Sequence, residues 1–149
     1  MYRNAVMNIP SLITMPETAE YSFGKMAFMD WAQSYQTGLY DKYPNESFPI
    51  WDAYQVYLCI LGTNGCTEGF LLKALELNPD MTFINKLVPL FLEQTRYGMD
   101  ALLTYEGGWS GITPEVIKNK ERMKPICDKI MELSEYSDDI LEIFADIDK

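Results

Sequence analysis

Two stretches near the end of the chain decide the fold: Thr113-Pro114-Glu115-Val116-Ile117-Lys118 and Ser137-Asp138-Asp139-Ile140-Leu141-Glu142-Ile143-Phe144. The first is a helix start, with a capping hydroxyl, a proline where no N–H is needed and an acid at the positive dipole end. Its spacing predicts a helix from Thr113 to about Ser134, bent near Pro125. The second predicts a further helix opening at Ser137-Asp138-Asp139, with Ile140, Ile143, Phe144 and Ile147 recurring at i, i+3, i+4 and i+7.

Upstream of these, Glu106-Gly107-Gly108-Trp109-Ser110-Gly111 is a loop, and Asp80 is placed to cap a helix over Met81 to Tyr105. That segment is apolar on most sides around Leu87 to Leu92, which marks a core helix, bent or broken at Pro89 and weakened at Gly98. Before it, Thr67 opens a short helix carrying Phe70, Leu71, Ala74 and Leu75, which Asn78-Pro79 stops. The run Ile50 to Leu61 has the β-branched and aromatic content of a strand. Asp52, Gln55 and Cys59 nevertheless fall on one narrow stripe of a helix, so the periodicity predicts a largely buried central helix.

Towards the N-terminus, Pro16 and Glu17 open a helix whose Ala19, Phe23, Met26, Ala27, Trp31 and Tyr35 recur at three and four, closed by Gly38. The apolar lead Ile9-Pro10-Ser11-Leu12-Ile13 is compatible with a short N-terminal strand. The expectation is an all-α fold, an irregular bundle of six to seven helices forming a single domain over residues 1–149. Trp31, Trp51, Phe91, Leu92, Ile126, Ile130 and Phe144 are its expected buried residues.

Composition narrows the chemistry. No histidine is present in 149 residues, which excludes Ser-His-Asp, Cys-His and His-Glu-x-x-His sites. Gly62-Thr63-Asn64-Gly65 lacks the spacing and the lysine of a phosphate-binding loop. Cys59, Cys66 and Cys127 form no Cys-x-x-Cys pair, so no disulfide framework or zinc knuckle is indicated and a reducing, cytoplasmic setting fits. Cys66, next to Glu68 and with no general base, is expected to be a bystander thiol. No apolar run is long enough for a membrane span, and residues 1–13 lack the pattern of a signal segment. No cofactor or metal is expected.

The formal charge of −10 repels phosphate backbones, so direct nucleic-acid binding is not expected and a basic protein partner is. Charge is also unevenly placed. Residues 118–129 hold five bases against two acids, a net +3, whereas residues 130–149 hold seven acids against one base, a net −6. Glu132, Glu135, Asp138, Asp139 and Glu142 are therefore the candidate partner-binding acids. Tyr40, Tyr43 and Trp109 join them as aromatic residues in turn regions that can anchor an interface.

The leading functional expectation is a non-catalytic inhibitor that blocks a basic nucleic-acid-handling protein. Bacterial immunity proteins against nuclease toxins, and phage counter-defence proteins of the anti-CRISPR kind, share this acidic, aromatic-rich helical composition, an analogy of composition alone. Two alternatives are a magnesium-dependent hydrolase using the tail carboxylates, which needs them gathered inward, and an oligomeric assembly subunit that completes its core against a copy or partner.

Overall fold

In the computed structural model the described residues are 1–44, 67–104 and 113–147, with the side chains of 97–104 not included. They are helices and turns, with no strand among the described residues. The helices are α1 (Tyr2–Met7), α2 (Ile9–Ile13), α3 (Gly24–Gln36), α4 (67–77), α5 (Ile84–Thr104), α6 (Pro114–Lys118) and α7 (Lys120–Ala145). The all-α expectation is met. The expected central helix Ile50–Leu61, Trp51 within it, and the Glu106–Gly111 loop lie outside the described residues.

α7 is the spine. Its N-terminal half joins α3 and α6 in a first core of Ala32, Tyr35, Val116, Ile117, Met123, Ile126, Cys127, Ile130 and Leu133. Its C-terminal half joins α1, α4 and α5 in a second core of Val6, Leu71, Ala74, Met81, Ile84, Leu87, Ile140 and Phe144. The pairing of α3 with α7 is more extensive than that of α5 with α7. Each fully buried aliphatic side chain contributes about 1.5–3 kcal/mol relative to exposure, and α7 ties the two cores together because it supplies buried residues to both.

Several local expectations hold. Thr113 caps α6 by accepting from the Val116 N–H, with Pro114 in the first turn and Glu115 at the positive end. Gly38 ends α3 at φ +75°, and the Leu39 N–H reaches the Ser34 carbonyl at 3.3 Å, a Schellman closure. Asn78 follows α4, where Leu71 and Ala74 are fully buried. The break expected at Pro89, by contrast, does not occur, since α5 runs from Ile84 to Thr104 with the proline inside it.

Others are corrected. The N-terminal lead is not a strand: α2 covers it, with Pro10 in the first turn, where a proline costs nothing. The first long helix begins at Gly24 and not at Pro16, because Gly24 takes φ +53° and a Cβ there would collide with the Ile13 carbonyl. The long C-terminal helix does not run from Thr113 to Ser134. It breaks at Asn119, whose extended backbone (ψ 104°) and side-chain cap on the Arg122 N–H start α7 afresh.

No new helix starts at Ser137 either, since α7 runs unbroken to Ala145 with Pro125 inside it. Nor does Asp80 cap α5, which begins at Ile84, because its carboxylate pairs with Arg3. Leu92, expected in the core, is 38% exposed. Phe91 and Trp31 are half-buried, whereas Ile126, Ile130 and Phe144 are buried as expected.

Candidate functional site: the outer face of the spine helix

At 100° per residue, the buried positions Ile126, Ile130, Leu133, Ile140 and Phe144 share one side of α7. Glu132, Glu135, Asp138, Asp139 and Glu142 fall on the other, and all five are exposed. The structure thus brings the sequence-expected acids together on one continuous helical face. That requires α7 to be unbroken, since a kink at 134–137 would have split Glu132 and Glu135 from Asp138, Asp139 and Glu142.

The face is only partly neutralised. Lys25, at the start of α3, lies 3.1 Å from Glu135 Oε2 and 2.5 Å from Asp138 Oδ2. Hydrogen bonding to Asp138 and then Glu135 raises the Lys25 pKa above the usual lysine value. Lys129 pairs with Glu132 at 3.2 Å. Asp139 and Glu142 have no cationic partner within salt-bridge distance among the described residues. Five acids against two lysines leave this face a net −3.

Two residues belong to the face that sequence reasoning did not single out. Tyr136 is half-buried among the acids, and its phenol pKa is raised by burial and then by Glu93, Asp139 and Glu132, with Arg96 opposing. Glu93 on α5 therefore adds its charge from the neighbouring helix. Only the packing of α5 beside α7 reveals it, since Glu93 lies about forty positions upstream.

The aromatic candidates sit elsewhere. Tyr40 and Tyr43 pack as half-buried residues against the first core. The Tyr40 ring centroid is 5.4 Å from that of Tyr35, Lys42 lies 5.1 Å over the Tyr43 ring, and Lys118 donates to the Tyr43 carbonyl. Trp109 lies outside the described residues.

For the carboxylate-hydrolase alternative the geometry is unfavourable. Glu132, Glu135, Asp139 and Glu142 project outward, and no group of three or more metal-ligating side chains occurs among the described residues. Of the thiols, Cys127 is buried, donates to the Ala32 carbonyl at 3.4 Å and accepts from Gln36 Nε2 at 3.2 Å. Burial pushes its pKa up, away from a reactive thiolate. Among the described residues no helix is long and apolar enough to cross a membrane. Comparison with protein-family models, with curated proteins and with solved structures finds no match to this chain.

Proposed function

We propose that this protein is a non-catalytic binding module whose acidic α7 face engages a basic, nucleic-acid-handling protein and blocks it. One observation carries this reading: five exposed acids on one uninterrupted helical face, with two lysines opposing them. A nucleic-acid site is a basic groove, so an acidic rod is steered towards it and competes with phosphate there. The rigidity of α7, buried on its other side in both cores, presents the charges in fixed register.

The test is surface plasmon resonance with the full chain and a basic nucleic-acid-binding partner captured with it. The Glu135→Lys, Asp139→Lys, Glu142→Lys variant is expected to lower the association rate roughly tenfold or more at low salt, with little change in stability. The difference should shrink between 0.1 M and 1 M salt, as the Debye length falls from about 10 Å to about 3 Å. Unchanged kinetics in the variant would reduce the acidic face to a solvated surface and end this reading. Binding through the turn aromatics instead would show as a faster dissociation rate in Tyr43→Ala, costing about 2 kcal/mol or more.

A further inference from the structure

On the inner side of α7, away from the acids, a cleft of about 720 Å³, open to solvent on one side, lies between the two cores, within the range of roughly 300–1,000 Å³ that holds small-molecule ligands. Its walls include Phe28 and Trp31 of α3, Phe91 of α5 and Ile140 of α7, with no charged side chain among the described lining residues. The α2–α3 edge of the wall is set by Gly24, where any side chain would strike the Ile13 carbonyl.

Ser137 supplies the second observation. It lines this cleft, is 5% exposed, and its hydroxyl has no hydrogen-bond partner among the described residues. A helical serine ordinarily donates back to the carbonyl three or four residues earlier, as Ser134 does to the Met131 carbonyl at 2.6 Å. For Ser137 the carbonyl four residues back is that of Leu133, which accepts Gln94 Nε2 at 3.4 Å in addition to its helical N–H. Both lone pairs of that oxygen are thereby engaged, and the Ser137 hydroxyl makes no bond to the Ser134 carbonyl three residues back. A buried hydroxyl facing an apolar cleft without a partner is unfavourable, and an incoming polar atom relieves it.

We propose that the cleft binds an uncharged, largely apolar small molecule carrying one hydrogen-bonding oxygen, with that oxygen paired to Ser137 and the apolar body against Phe28, Trp31 and Phe91. A charged ligand would leave its charge unpaired against these walls. A pure hydrocarbon would leave Ser137 unsatisfied. This site is independent of the acidic face and stands or falls separately from partner binding.

The test titrates the full chain with two neutral fluorescent probes: Nile red, which carries a ring carbonyl, and diphenylhexatriene, which has no polar atom. Both are expected to saturate at one per chain. Ala27→Trp, which places a large ring at a half-buried wall position, should weaken both roughly tenfold with the circular dichroism of the wild type retained. If that variant loses its helical signal, Ala27→Leu carries the same comparison with a smaller loss. Ser137→Ala should weaken Nile red by about two- to tenfold and leave diphenylhexatriene unchanged. No saturable binding of either probe, binding indifferent to a folded Ala27 variant, or an equal effect of Ser137→Ala on both probes would each overturn the proposal.

Discussion

The two cores that share α7 are built from different materials. The second is mainly aliphatic and phenylalanine-based, with Phe83 set edge-on to Phe144 at a centroid distance of 5.4 Å and Tyr2 packed against it. The first mixes aliphatic residues with amphipathic rings and a thiol: Trp31 Nε1 donates to the Tyr35 hydroxyl at 3.1 Å, and Cys127 bridges to Gln36 and the Ala32 carbonyl. Apolar packing dominates the second core, whereas the first adds side-chain hydrogen bonds to its packing. Tolerance to substitution should differ accordingly.

The largest expected effects come from truncating the spine where it enters each core. Phe144→Ala should cost about 3–5 kcal/mol and Leu133→Ala about 2–5 kcal/mol, measured by urea denaturation. Each should leave a single transition, since α7 belongs to both cores. Two resolved transitions would show that the cores unfold separately and break the comparison at its root. Next, Tyr35→Phe removes a hydrogen bond from the first core and should cost about 0.5–1.5 kcal/mol. By contrast Leu87→Met in the second core conserves volume and should cost less than about 1.5 kcal/mol.

Capping substitutions come below these. Thr113→Ala and Asn119→Ala should each cost about 1 kcal/mol by the same measurement, because each frees a helix N–H from its side-chain acceptor. The smallest effect belongs to the exposed pair of Arg3 with Asp80, where hydrogen bonding to Arg3 holds the Asp80 carboxyl below the usual carboxylate range. A lowered folded pKa contributes stability above the unfolded value of about 3.9, lost as pH falls through the folded value. The melting temperatures of wild type and Arg3→Gln should therefore converge on acidification below about pH 4. Divergence there would contradict the pairing.

How much of this was legible in the sequence follows the same division. The apolar positions of α4 and α7, such as Leu71, Ala74, Ile130, Ile140 and Phe144, stood out by their spacing because burial follows helical period. Local caps were legible where they stayed local, as at Thr113 and Gly38. Boundaries failed where a cap-type side chain was claimed from a distance. Asp80 is taken by Arg3 and Asp138 by Lys25, so α5 starts later and α7 continues where a break was expected. Gly24 set the start of α3 through a close approach to Ile13 that spacing does not encode.

For the candidate site, the acids themselves were readable from charge placement, but their union on one face was not. It depends on α7 passing through Ser134 to Ser137 without a break. Lys25, Tyr136 and Glu93 join the face only through tertiary packing, and the cleft beside Ser137 arises between elements distant in sequence.

Native-state hydrogen exchange along α7 tests most directly whether it is a single rod that ties both cores inward and holds its acids outward. Amides of Ile126 to Leu133 and of Ile140 to Phe144 should exchange with one common opening free energy equal to that of global unfolding. Amides of 138–145 opening well below those of 123–133 would show a break at 134–137, dividing both the spine and the acidic face it presents.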